Sequence, residues 1–289
     1  PVIAAPIWIV VLRKIMRISK QHKISSLADF VSLRYGNNRF LGALITVVCV
    51  FGIVPYISLQ LKAISETFEI MTDETSYVSK YIFDDSTFYI AVLLALFAAF
   101  FGTQSTDASD KHRGIVVTVA FESILKLVFF LIIGVYVTFF IFNGTSDIYN
   151  KMSMTPNFEN LTKIDGLESG FDWFFMMMIS FIAVFLLPRQ FQVSVLENNR
   201  EKHLKQAIWM FPLYLLLFNV FVIFIAWAGK LTFGNEVNGE YFTLLLPLQH
   251  NNIFLALLVF LGGFSAVISM VVVSTLALST MVSNNLIIP

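Results

Sequence analysis

Glu122 and Lys126 are the residues of this chain whose types and spacing most directly offer chemistry. They stand four apart inside the apolar run 114–142, with the acid on the N-terminal side. On a helix that spacing puts both on one face, a turn apart. An ionisable residue inside a membrane span is costly unless it is paired or reaches the interface, so it carries a functional hypothesis by default. Two readings stay open: an ion pair that cancels two costs, and a relay for a proton or a substrate. Gln60 and Lys62 fall in the run 40–64. Lys62 comes late enough to reach outward to the interface. Gln60 faces elsewhere, and either lines a polar cavity or bonds a neighbouring helix.

The run 253–282 holds no Asp, Glu, Lys, Arg or His, but carries Ser265, Ser269, Ser274, Thr275, Ser279 and Thr280. Such hydroxyls bond the preceding turn or fill small-residue contacts between helices. Together with backbone carbonyls they also coordinate a hard cation such as sodium. Gly262-Gly263, just upstream, permits close packing or local unwinding. Catalytic patterns are absent. No His-Glu-x-x-His, Gly-x-Ser-x-Gly or P-loop run exists, and the four histidines (His22, His112, His203, His250) fall in expected loops. The single cysteine, Cys49, excludes a disulfide framework and a multi-cysteine metal site.

The elements that position these groups follow from composition. Of 289 residues, 57% are hydrophobic and 13% charged, and mean hydropathy is +0.78. Soluble domains carry about 25% charged residues, so this chain cannot cover a water-facing surface. It reads as an all-α polytopic membrane protein, which excludes a soluble enzyme, a nucleic-acid binder and a disordered chain. Seven segments are apolar enough to be spans or parts of spans: 1–12, 40–64, 87–102, 114–142, 173–188, 206–229 and 253–282. The first is too short to cross a bilayer that needs roughly 20 apolar residues. The chain starts at Pro1 and ends at Pro289 just after an apolar run, and reads as one membrane domain, 1–289, cut from a longer protein.

Charge sorts the loops. Thirteen of the nineteen Lys and Arg lie in alternate loops: Arg13 to Arg39, Lys111 and Arg113, and Arg189 to Lys205. The intervening loops carry only Lys80, Lys151, Lys163 and Lys230. Basic loops stay cytoplasmic, so the reading has an outside start and an inside C-terminal end. Within the first inner loop, Ser26-Leu-Ala-Asp29 has capping-box spacing, and a short interfacial helix should follow and end at Gly36.

Several stretches resemble the sodium/solute symporter family. Lys23-Ile-Ser-Ser-Leu-Ala-Asp-Phe-Val-Ser-Leu-Arg-Tyr-Gly36 and Val54-Pro-Tyr-Ile-Ser-Leu-Gln-Leu-Lys-Ala63 are similar to its third and fourth helices. Phe121-Glu-Ser-Ile-Leu-Lys126, Leu187-Pro-Arg-Gln-Phe-Gln192 and Leu278-Ser-Thr-Met-Val-Ser-Asn284 resemble one branch, in which a symporter-like membrane region is fused to a sensor histidine kinase. The resemblance implies a LeuT-like core of five plus five inverted-repeat helices, of which this chain holds about seven. It implies a bacterial inner-membrane location and a small solute such as an amino acid. Any kinase activity would lie beyond Pro289, together with a response-regulator partner. The alternative it implies is a stand-alone sodium-coupled symporter.

The family's sodium site, carried onto this sequence, places a carbonyl ligand at Ala266 and hydroxyl ligands at Ser269 and Met270. A thioether is a poor ligand for a hard cation. A register five residues on puts Ser274 and Thr275 at the hydroxyl positions. It moves the site about 7.5 Å along the helix, away from the midplane where such sites lie, so Ser269 is preferred. Aligning on Pro188 places the solute-shaping positions at Ser180 and Val184. The aromatic residues of proline symporters are missing there, so proline is not the expected solute.

Overall fold

The computed structural model describes residues 5–72, 88–93, 95–96, 113–155, 158, 166–198 and 201–288. Helices and turns make up everything described, with no strand among these residues. The helices are α1 (Ala5–Gln21), α2 (Leu27–Arg34), α3 (Arg39–Thr72), α4 (Arg113–Tyr136), α5 (Thr145–Ser153), α6 (Gly166–Leu186), α7 (Pro188–Phe191), α8 (Glu201–Asn219), α9 (Val222–Phe233), α10 (Phe242–Gln249) and α11 (Ile253–Val282). Residues 88–93 are helical, and the rest of the expected span 87–102 lies almost wholly outside the description, as do Lys80, Lys111, His112, Lys163 and Arg200.

Four of these stretches are long and apolar enough to cross a bilayer: Arg39–Thr72, Val116–Ile141, Glu201–Phe233 and Ile253–Ile287. A fifth is broken. Gly170–Leu186 and Pro188–Leu196 meet at a bend of 52°. Leu187 is extended (φ −75°, ψ 123°) and Pro188 opens the second segment. Proline disfavours the helical conformation in the residue before it and is at home in a first helical turn. The chain is thus an all-α, multi-pass membrane protein. Of its expected first segment, 1–12, residues 1–4 lie outside the description, and the rest opens a longer helix, α1, which continues to Gln21 through Arg13, Lys14, Arg17 and Lys20. Trp8, Leu12 and Met16, each four apart, form its buried stripe.

Two apolar clusters anchor the helices. In the first, α1 and Leu27 pack on Phe191, Val195 and Leu204, so α1 closes over the broken helix and the start of α8. In the second, Ile133 and Val137 of the α4 end meet Ile225 and Ala228 of α9, Phe242 and Leu246 of α10, and Leu255 of α11. Helix α11 joins the two regions by packing along α3 and α4. Elsewhere large apolar side chains face outward, Phe174, Met176 and Ile179 of α6 among them, as a surface suited to lipid allows.

Contacts sort the loops onto two ends. At one end Arg17 makes a bidentate pair with Glu201, at 2.6 and 3.1 Å, and Asn284 donates to the Ser25 hydroxyl at 2.8 Å. At the other, Glu66 at the end of α3 accepts from Tyr241, and Tyr149 and Phe158 pack on Trp227. The first end gathers loops expected inside, the second loops expected outside. The cap of α2 differs from the expected box in one partner. Ser26 accepts from the Asp29 N–H, but the Asp29 carboxylate turns to Ser25 rather than back to the cap. That leaves Ser25 to hold Asn284 as well. Gly36 ends the segment at φ +75°, a conformation that costs glycine nothing.

This grouping makes a direct prediction. With Cys49 replaced by Ser, a cysteine at Tyr149 should react with an impermeant maleimide added outside cells, and one at Lys14 only after lysis. Labelling in the reverse pattern would invert the topology.

Candidate functional site

Helices α4 and α11 run side by side, and their facing polar groups meet. The Lys126 ammonium lies 2.9 Å from Glu122 Oε1. Ser269 Oγ donates to that same Oε1 at 3.0 Å. Ser269 Oγ also lies 3.4 Å from the Ala266 carbonyl oxygen. A hydroxyl has one proton, and a charged acceptor takes it in preference to a neutral carbonyl, so the shorter contact is the true hydrogen bond. Glu122 is 5% exposed, and the Lys126 side chain 18%. Tyr214 of α8 lies within electrostatic reach of the Glu122 carboxylate. Helix α11 brings no titratable group to the site.

A cavity of about 190 Å³ adjoins this cluster. Its apolar walls are Phe129, Phe130 and Ile133 of α4, Phe218 of α8 and Val259 of α11. Among the described residues, Lys126 and Thr243 are its polar side chains, and Gly262, Gly263 and Ala266 complete the lining. Phe130 and Phe218 stack face to face, with centroids 4.4 Å apart. Helix α11 runs unbroken through Gly262-Gly263. Gly262 serves close packing, since a Cβ there would stand 3.0 Å from the Phe129 ring.

Met270, the residue at the second expected hydroxyl position, is turned to another partner. Its sulfur accepts from the Tyr56 hydroxyl at 3.0 Å, and Arg189 reaches the same hydroxyl at 3.5 Å. Arg189 stands just past the break between α6 and α7, so this chain of contacts ties the broken helix to α3 and α11. Tyr56 and Arg189 fall within the stretches that carry the family resemblance but were not expected at a site, and Thr243 was not expected there either. Arg189 had a legible signal, an arginine directly after the proline that ends an apolar run.

The other expected residues lie apart from this cluster. Ser274 is buried, and Thr275 bonds back to the Val271 carbonyl at 2.8 Å. Neither approaches Glu122, so the Ala266–Ser269 register is the one that meets the acidic residue. Lys62 reaches outward and pairs with Glu66 at 3.5 Å. Glu66 in turn accepts from Tyr241, whose phenol is pushed upward by burial and by that carboxylate. Gln60 is half-buried and meets no side-chain partner among the described residues. Ser180 is exposed on α6, while Val184 packs into the α1 cluster. His203, expected in a loop, sits in the first turn of α8. No group of three His, Cys, Asp or Glu suited to a metal occurs among the described residues.

The chain is similar to bacterial symporters. It is 29% identical over 238 residues to the uncharacterized symporter YhjB of Bacillus subtilis (strain 168), covering 80% of this chain and 44% of YhjB. It is 25% identical over 228 residues to the uncharacterized symporter YodF of the same organism, covering 78% of this chain and 42% of YodF. The chain thus spans less than half the length of these relatives. No family model matches it, and no solved structure does.

Proposed function

We propose that this chain is part of the membrane core of a secondary transporter. That transporter would carry a small organic solute through the bacterial cytoplasmic membrane together with a cation. The five-plus-five inverted-repeat arrangement belongs to the same proposal. The observation that carries it is the buried Glu122–Lys126–Ser269 cluster beside a cavity, in a chain similar to symporters. Charged groups in a membrane interior mark ion and substrate paths.

Sodium is the proposed co-substrate. Its candidate ligands are the Ala266 carbonyl, the Ser269 hydroxyl and the Glu122 carboxylate. All three are hard oxygen donors of the kind such cations prefer. Their spacing supports the assignment, since Ser269 Oγ lies 3.0 Å from Glu122 Oε1 and 3.4 Å from Ala266 O. The Met270 thioether takes no part, being engaged by Tyr56.

The full-length protein in proteoliposomes should accumulate solute when sodium is high outside, and not when potassium replaces it. Ser269→Ala removes one oxygen ligand from the proposed ion site. It should therefore raise the sodium concentration for half-maximal uptake roughly tenfold or more. An unchanged sodium requirement would remove Ser269 from the site. Uptake indifferent to sodium would remove the ion.

The stretches Phe121–Lys126, Leu187–Gln192 and Leu278–Asn284 favour a second reading. The latter two belong to neighbouring elements, since α7 packs against α11. In this reading the membrane region biases an attached histidine kinase and its response regulator by shifting between conformations. Solute-dependent phosphorylation in the full-length protein would establish it, and phosphorylation unmoved across a solute screen would dismiss it.

A further inference from the structure

We infer that the cavity beside Lys126 takes a small monocarboxylate with an apolar body, an inference that rests on the transporter reading above. Size comes first. A cavity of about 150 Å³ holds benzene, so one of about 190 Å³ holds a body of that order with one small polar group. The walls are aromatic and aliphatic, which suits an apolar body. The polar end of the space is Lys126, with the Thr243 hydroxyl also on the wall. An ammonium has three donors. Glu122 takes one of them, at 2.9 Å, and the others remain for an acceptor in the cavity.

Charge selects among solutes. Among the described residues, the cavity lining includes one cation and no carboxylate; Glu122, at 5% exposure, is not part of it. An amino acid would bring an ammonium that competes with the cation for the one carboxylate at hand, Glu122. A dicarboxylate would bring a second negative charge with no cation. A neutral solute would offer the Lys126 donors only an uncharged acceptor, a weaker partner than a carboxylate. A monocarboxylate matches the wall group for group.

The same charges link solute to cation. Glu122 and Lys126 sum to zero, and a bound carboxylate takes the cluster to minus one in a largely buried setting, where an uncompensated charge is costly. A monovalent cation at the Glu122, Ser269 and Ala266 oxygens returns it to zero. Each ligand therefore strengthens the binding of the other, and the strengthening is reciprocal. Ala266 belongs to both the cavity lining and the oxygen cluster, so the two sites adjoin.

The test uses three matched probes on the full-length protein in nanodiscs: 4-methylpentanoate, its amide 4-methylpentanamide, and leucine, which adds an ammonium to the same skeleton. The carboxylate should bind at least tenfold more tightly than the amide and than leucine. Lys126→Gln should erase that preference, and Lys126→Arg should keep most of it. Val259→Trp fills the cavity without touching the ion pair, and should abolish binding in a protein that melts normally. Equal or tighter binding of the amide or of leucine overturns the inference, as does unchanged binding in Val259→Trp. Uptake assays separate this failure from a failure of the transporter reading. If the protein accumulates other solutes but no carboxylate, the solute class falls and the transporter stands. If it accumulates nothing under any gradient, both fall.

Discussion

Glu122→Ala is expected to cost this protein about 3–5 kcal/mol, because it leaves the Lys126 ammonium without its partner in a largely buried setting. The Lys126 side chain is 18% exposed and that of Glu122 6%, so water screens the pair little. The substitution also takes the acceptor from Ser269 on the neighbouring helix. Removing both charges should undo most of the loss. A Glu122→Gln, Lys126→Met protein should melt close to the wild type, since a buried pair is often no more stabilising than apolar residues of similar volume. Thermal unfolding in detergent reads both effects. Uptake should be lost in the single and in the double substitution, and this parts the pair's structural role from its transport role. A Glu122→Ala protein that melts like the wild type would show that the pair is hydrated. A double variant that still transports would take the pair out of the mechanism.

Gly229→Ala is expected to destabilise the cluster around α9 and α10 by about 1–3 kcal/mol, the range for overpacking a filled core, and larger side chains there should prevent folding. A Cβ at Gly229 would stand 2.1 Å from Phe242 Cδ2 and 2.2 Å from Cγ, closer than atoms can approach. Phe242 cannot give way easily. It is 3% exposed and stacks on Phe233 with centroids 5.9 Å apart. Phe242→Leu should therefore rescue Gly229→Ala in part, while destabilising the wild type on its own through the cavity it leaves. The two effects should be strongly non-additive in melting experiments, as expected of side chains in direct contact. Additive losses would mean that the helices separate to admit the methyl group.

The helical membrane class was legible in composition, because a chain with 13% charged residues has no other way to satisfy its surface. The Glu122–Lys126 pair was legible too, since an i,i+4 contact is local and one helical turn creates it. The end of the broken helix could be read from Leu187-Pro188, because proline acts on the residue directly before it. The outward reach of Lys62 followed from its place late in the span. Its pairing with Glu66 is again local.

Contacts between distant parts of the chain needed the fold. Ser269 and Glu122 are 147 residues apart, and only the rotation of α11 against α4 decides that Ser269, rather than Ser274 or Thr275, meets the carboxylate. Every hydroxyl in that helix looks alike in sequence, since each has a carbonyl of its own preceding turn within reach. The same rotation turns Met270 toward Tyr56 and puts Ala266 at the cavity wall. By itself, then, the sequence determined the helical membrane class, which loops carry positive charge and which charges pair along a helix, because local spacing and the demands of a bilayer set those. Tertiary structure alone decided which polar groups face one another across helices and that the described lining of the cavity presents one cation and no anion. Those depend on how each helix is rotated against its neighbours, which packing over the whole fold sets.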